Sequence, residues 1–176
     1  MEDALLLQTA IEFAALKHRG QFRKGNGRPY ILHPLSVLNR LYVIKPNSKN
    51  IYLLAIVAIL HDLVEDCGVT LEEIARMFGY RVASLVEELT SDKDQIDLLG
   101  KQEYLLRKMN KMSSYGLIIK LIDRLDNVSD MKDLKPEDRD KTIQQTEYIL
   151  NGLDRKLTNT HKKLIKEIKY IINGKQ

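Results

Sequence analysis

The sequence predicts an all-α protein built as one helical bundle. Along most of its 176 residues, apolar side chains recur with the period of a helix. Helix start and stop signals separate these stretches, as where Thr70 and Glu73 match a capping box and Gly79 follows. The chain has no Trp, 4 Pro and 9 Gly, which argues against a loop-rich β sandwich. Its length predicts a single domain, residues 1–176, with a sizeable core.

The first half of the chain is predicted to be helical apart from one glycine-containing loop. Residues 3–17 place apolar side chains along one broad face, and the basic loop 20–28 follows. Pro34, at a favoured first-turn position, opens a helix that runs to about residue 43. Residues 49–65 form a central apolar helix. Two shorter helices complete this half, one from the cap at 70 to the glycine at 79 and one over 80–89.

The second half begins with a polar stretch, residues 90–97, that predicts a loop. Pro136 opens a later helix, with carboxylates in the first turn near the positive end of the helix dipole. The predicted helices of this half span residues 98–112, 116–131, 136–153 and 159–172.

A histidine–aspartate pair, His61 and Asp62, ends the apolar run and has further acidic groups one turn away. On a helix, His61 shares a face with Glu65, and Asp62 shares one with Asp66. Two of these residues can therefore bind a metal while two others face whatever the metal holds. A divalent ion there can polarise a phosphoryl group and make water more acidic. Glu65 and Asp66 can then position or deprotonate that water, or protonate the leaving group.

Two further segments supply residues of the same chemistry. Asp123 and Asn127 repeat the four-residue spacing on another predicted helix, and His33 stands at a third helix start. Two imidazoles and two carboxylates give a mixed nitrogen and oxygen shell. Such a shell suits a divalent ion such as Mn²⁺ and argues against a thiolate-bound structural zinc. The four candidate ligands are His33, His61, Asp62 and Asp123.

Each of these residues also has a simpler explanation when taken alone. His33 can be a helix cap or a core residue, and Asp123 can be a surface residue paired with Arg124. The acidic pair near the end of the central helix can be a solvated patch, and so can the basic loop. The two remaining histidines lack a comparable context: we expect His18 to pack or cap and His161 to lie on the surface.

The bulk properties narrow the location and the partners. The formal net charge of +4 suits an anionic small molecule but equally a solvated basic surface, and nothing points to nucleic acid. Cys67 is the only cysteine, so no internal disulfide can form and a cytoplasmic location is favoured. The acidic start lacks the basic residues of a secretory signal. The apolar run 51–60 is too short to cross a membrane. An oligomer is compatible with the sequence.

Several sequence blocks, taken together, resemble the hydrolase domain of the RelA/SpoT-type alarmone enzymes, and most closely the stand-alone small alarmone hydrolases. They include His-Pro at 33–34, His-Asp-Leu-Val-Glu-Asp at 61–66 and Asp-Arg-Leu-Asp-Asn at 123–127. The similarity runs from about residue 5 to 155. It is far more specific than the His-Asp signature that names the wider HD superfamily.

The resemblance implies an HD-domain helical bundle that removes the 3′-pyrophosphate from guanosine tetra- or pentaphosphate, (p)ppGpp, to give GDP or GTP. It implies Mn²⁺ as the cofactor, held by the four candidate ligands given above. The Glu65 and Asp66 pair matches the residues that activate water and transfer protons. The implied substrate contacts are Arg23 and Lys24 in the basic loop, Asn127, and Tyr148.

Two features of the sequence depart from the family pattern. The loop between Arg23 and His33 is one residue longer than in many members, and Asp126 stands where Tyr or His is common.

Two other functions remain open. A phosphohydrolase of this type could act on another nucleotide, such as NADPH. A degenerate HD domain could instead sense nucleotides without catalysis. The intact ligand set and the retained acidic pair disfavour this last reading.

Overall fold

A computed structural model describes residues 2–174 and confirms the all-α class. Within this range no strand occurs, and an isolated antiparallel bridge joins Phe22 to Pro29. The helices are α1 (Glu2–Lys17), α2 (Leu32–Ile44), α3 (Ile51–Leu60), α4 (Leu63–Cys67), α5 (Leu71–Phe78), α6 (Tyr80–Leu89), α7 (Lys93–Leu99), α8 (Lys101–Lys111), α9 (Ser114–Ser129), α10 (Pro136–Asn151) and α11 (Asn159–Ile172). A short 3₁₀ helix, η1 (Met131–Asp133), follows α9.

The described chain divides into two compact units. The first comprises the residues up to Arg23 together with Gly27–Thr90, and the second comprises Lys24–Asn26 and the residues from Ser91 onward. The expectation of one domain across the whole sequence stays a prediction. In the described range no helix is long and apolar enough to span a bilayer.

Helix α3 forms the centre of the first unit. It packs against α1, α2 and α6, and every residue from Leu54 to Leu60 is buried. A helix that is apolar all round is stable only when other elements cover all its sides. This burial explains why the run Ile51–Leu60 lacks the polar face of a surface helix. Thr70 caps α5 by accepting a hydrogen bond from the backbone N–H of Glu73, which is one of the two hydrogen bonds of the capping box expected there.

The central helix is shorter than the sequence suggested. We expected one helix over residues 49–65, but α3 ends at Leu60 and α4 begins at Leu63. His61 and Asp62 occupy the turn between them. Leu60 and Leu63 are both fully buried and stand three positions apart, as they would on one continuous helix. Periodicity alone therefore gives no sign of the break.

In the second unit α9 packs on α11, and α8 packs on α10. The prediction of a loop at 90–97 is wrong, because α7 covers Lys93–Leu99. None of the seven residues of α7 is buried, so no buried apolar face marks this helix in the sequence. Its start signal is local: the side chain of Asp92 accepts from the backbone N–H of Gln95. Gly100, at φ 77°, separates α7 from α8 where one helix over 98–112 was expected.

His161 is fully buried, so the expected surface position is wrong. Its Nδ1 accepts from the backbone N–H of Thr158 at 3.1 Å, and its Nε2 lies 3.0 Å from the carbonyl oxygen of Ser114. Because a carbonyl only accepts, Nε2 carries the proton. The ring therefore completes the cap of α11 and links that helix to the start of α9.

Replacing His161 with Ala should destabilise the protein by about 3 kcal/mol, since a cavity forms and the two polar partners lose their hydrogen bonds. Urea unfolding followed by circular dichroism measures this change. Lys162→Ala, at an exposed position on the same helix, is the control and should stay within about 0.5 kcal/mol of the parent. Equal stabilities for the two variants would contradict the buried position.

Candidate metal centre and acidic pair

Three of the four predicted ligands belong to the first unit, and the fold brings them together. His33 lies in the first turn of α2, while His61 and Asp62 form the turn between α3 and α4. Their potential ligand atoms all lie within 4.8 Å of one another. Oδ2 of Asp62 is 3.0 Å from Nε2 of His61 and 3.6 Å from Nε2 of His33. Both histidines are buried and Asp62 is partly buried.

The orientation of His61 is fixed from behind. Its Nδ1 donates to the carbonyl oxygen of Ala58 at 2.8 Å. A neutral imidazole then has its lone pair on Nε2, which is the atom that faces Asp62. A backbone carbonyl on the far ring nitrogen is the usual outer partner of a metal-binding histidine. The donor set, two imidazoles and one carboxylate, therefore fits a divalent cation.

Tyr30 supports the same group and was given no role by the sequence reasoning. Its hydroxyl donates to Oδ2 of Asp62 at 2.8 Å, and its ring meets that of His33 edge-on at 5.7 Å. Such outer contacts orient the ligating carboxylate. In the sequence, Tyr30 is marked only by its position three residues before the candidate ligand His33, just ahead of the start of α2.

The acidic pair follows within one turn of Asp62. Glu65 and Asp66 lie on α4, and the backbone N–H of Asp66 donates to the carbonyl of Asp62 at 2.9 Å. Partial burial raises the pKa of Asp66, and the negative charge of Asp62 raises it further, although the carboxyl keeps access to solvent. Two carboxyls thus stand within one helical turn of the candidate ligand Asp62. Their part in activating water stays a prediction.

Asp123 belongs to the second unit, on α9, and is 6% exposed. Its carboxylate accepts from Nδ2 of Asn127 at 2.6 Å and lies 3.0 Å from Nζ of Lys120. Arg124 donates to Gln145. The surface position considered for Asp123 is wrong because the residue is buried, although its charge does act on the neighbouring Arg124 guanidinium. Its role as a metal ligand stays a prediction.

Asp126, the position that departs from the family pattern, is also buried on α9, at 4% exposure. Burial of a carboxylate requires compensating contacts. Its effect on substrate choice stays a prediction.

The basic loop has a defined conformation. The backbone N–H of Arg23 donates to the carbonyl of Arg28 at 2.8 Å, which closes the loop at its base. The tip, Lys24–Asn26, belongs to the second unit. There Gly25 has φ 91°, and a Cβ on it would lie 2.5 Å from the carbonyl oxygen of Asp133. Only glycine meets both conditions. The substrate contacts expected of Arg23 and Lys24 stay predictions.

Tyr148 lies on α10 and is 41% exposed. Its hydroxyl donates to Oε2 of Glu103 at 2.8 Å, and this carboxylate also pairs with Arg107 at 2.5 Å. The hydrogen bond to Glu103 raises the pKa of Tyr148. Its expected place beside the ligand, like that of Asn127, stays a prediction.

Comparisons with known proteins agree with this architecture. The family model described as HD domain matches residues 10–158. The human guanosine-3′,5′-bis(diphosphate) 3′-pyrophosphohydrolase MESH1 is 36% identical over 176 residues, which cover 94% of this chain and 96% of the human protein.

A bacterial relative and a solved structure add to this. The guanosine-3′,5′-bis(diphosphate) 3′-pyrophosphohydrolase of Aquifex aeolicus is 38% identical over 154 residues, or 86% of this chain but 21% of that much longer protein. A solved structure, described as a metazoan ortholog of SpoT that hydrolyses ppGpp, aligns with a TM-score of 0.79 and 30% identity over 97% of both chains. The chain belongs to the HD-domain family and, within it, to the group of the SpoT- and MESH1-type proteins.

Proposed function

We propose that the protein is a Mn²⁺-dependent guanosine-3′,5′-bis(diphosphate) 3′-pyrophosphohydrolase. The observation that carries the proposal is the cluster of His33, His61 and Asp62 beside the acidic pair on α4. The similarity to the human protein of that name, over 96% of its length, supports the choice of substrate. The lone cysteine further supports a cytoplasmic location.

In this proposal Asp123 is the fourth ligand. It would add a second carboxylate to the two imidazoles and Asp62, as the family resemblance implies. A set of two nitrogens and two oxygens suits Mn²⁺ better than Mg²⁺, which prefers oxygen ligands alone. When bound, the cation polarises a phosphoryl oxygen and makes water a better nucleophile.

The acidic pair moves the protons of the reaction. Water attacks the phosphorus that is joined to the 3′ oxygen, the bond between them breaks, and the 3′ oxygen takes up a proton. Glu65 and Asp66 orient the water, accept its proton and return one to the leaving oxygen. The products are pyrophosphate and GDP or GTP.

The remaining predicted contacts hold the nucleotide. Arg23 and Lys24 carry positive charge on a loop whose base is closed by backbone hydrogen bonds, which suits them to phosphate groups. Asn127 and Tyr148 offer hydrogen-bonding groups for the same substrate.

Asp62→Asn should weaken Mn²⁺ binding by at least about 100-fold, because an amide replaces an anionic ligand at the same size. Asp123→Asn should do likewise if it is the fourth ligand. Isothermal titration calorimetry with Mn²⁺ and then Mg²⁺ measures both affinities. Asp94→Asn, an exposed position on α7, is the matched control. Unchanged binding by Asp123→Asn would remove that residue from the ligand set.

Glu65→Gln should leave Mn²⁺ affinity unchanged yet lower kcat by about 10²- to 10⁴-fold, since the amide keeps the shape but cannot accept a proton. Steady-state kinetics with ppGpp provide the readout. Glu12→Gln, on the exposed side of α1, is the control. Parent-like turnover in Glu65→Gln would exclude this carboxyl from proton transfer.

A product assay decides between the functions. With Mn²⁺ present, the protein should release pyrophosphate from ppGpp and pppGpp, with GDP and GTP as the other products. Orthophosphate from NADPH, without turnover of ppGpp, would assign a different phosphohydrolase. Tight nucleotide binding without any product would identify a sensor.

A further inference from the structure

Helix α4 carries the acidic pair but is only five residues long. A single helical turn is not stable alone, because nucleation fixes several dihedral angles for one hydrogen bond. The last carbonyls of a helix also lack partners within it. The position of Glu65 and Asp66 therefore depends on contacts that reach α4 from other parts of the chain. Buried Leu63 anchors the start of this helix, and Gly68, at φ 66°, ends it.

Gln21 provides a contact at the C-terminal end of α4. Its Nε2 donates to the backbone carbonyl oxygen of Asp66 at 2.9 Å, across 45 positions of sequence. Its Oε1 lies 2.7 Å from Nδ1 of His18. The atom that faces the Asp66 carbonyl must be the amide nitrogen, because a carbonyl only accepts. The amide oxygen then faces His18, and Nδ1 of His18 must carry the proton.

The two side chains are held in this arrangement by their surroundings. His18 is 3% exposed, and its ring packs on that of Tyr30 at 4.8 Å. The backbone N–H of Tyr30 donates to the carbonyl of Gln21 at 2.9 Å. The thiol of Cys67 lies 3.3 Å from Nδ1 of His18. Sulfur is a weak acceptor, so the amide oxygen of Gln21 is the stronger partner for that N–H.

We propose that Gln21, oriented by His18, is a positioning residue that holds α4 by the Asp66 carbonyl and so aims the acidic pair. Its catalytic consequence rests on the proposed hydrolase function. Gln21 contacts the backbone of Asp66, so it acts through the placement of the carboxyls. A displacement of about 1 Å in such groups is enough to lower a rate by about 10²-fold.

The first test replaces Gln21 with Met, which keeps the length of the side chain and removes both hydrogen bonds. Amide hydrogen exchange of residues 63–67 should become about 5- to 10-fold faster, since one hydrogen bond to the helix is lost. With ppGpp, kcat should fall at least about 10-fold while KM and Mn²⁺ affinity stay within about 2-fold. Gln8→Met, at an exposed position of α1, is the matched control and should change none of these.

The second test separates orientation from packing at His18. Asn places an N–H donor where Nδ1 stands, whereas Phe keeps the ring that packs on Tyr30. His18→Asn should therefore retain more of kcat, and slower exchange in α4, than His18→Phe. The opposite order would show that the ring only fills space, and would overturn the proposal.

Nitrogen-15 NMR of the imidazole at mildly alkaline pH gives a readout independent of activity. The proposal requires His18 to carry its proton on Nδ1, and a proton on Nε2 would overturn it. Equal exchange of α4 in Gln21→Met and Gln8→Met would also overturn it. If the parent protein hydrolyses no ppGpp, the proposed function fails, and the exchange and NMR results still decide the role of Gln21.

Discussion

The hydrogen bond from Nδ1 of His61 to the Ala58 carbonyl lies at the base of the candidate centre. It joins the buried C-terminal part of α3 to the ring of His61, which is itself buried. The last seven residues of α3, Leu54–Leu60, are all buried in the closely packed core. This part of the helix cannot shift without moving the His61 ring. The packed core thus fixes the position of Nε2 of His61 and, with it, the distance from this atom to the Asp62 carboxylate. A site built on such an element is better defined than one built on a mobile loop.

Much of this arrangement can be read from the sequence, for physical reasons. The helical period of the apolar residues predicts most of the helices because each buries one face. The apolar run before His61 indicates a buried element, and α3 is one. His33, His61 and Asp62 lie together as their order along the chain suggested. Each of these features leaves a pattern among residues that are close together in the sequence.

Other features have no such signature. Helix α7 lies on the surface without a buried residue, so polar composition concealed it. The break between α3 and α4 leaves the helical spacing of the apolar residues intact, because Leu60 and Leu63 are both buried and stand three positions apart. His161 is buried through its contacts with Thr158 and Ser114. The second of these partners lies 47 positions away, and no local pattern reports it.

The close approach of Gly25 to the Asp133 carbonyl limits how this loop can change. At that point two stretches of main chain meet, and only a hydrogen atom fits as a side chain. A larger residue there would push the tip away from the Asp133 carbonyl and move Lys24, although every charge of the loop would be unchanged.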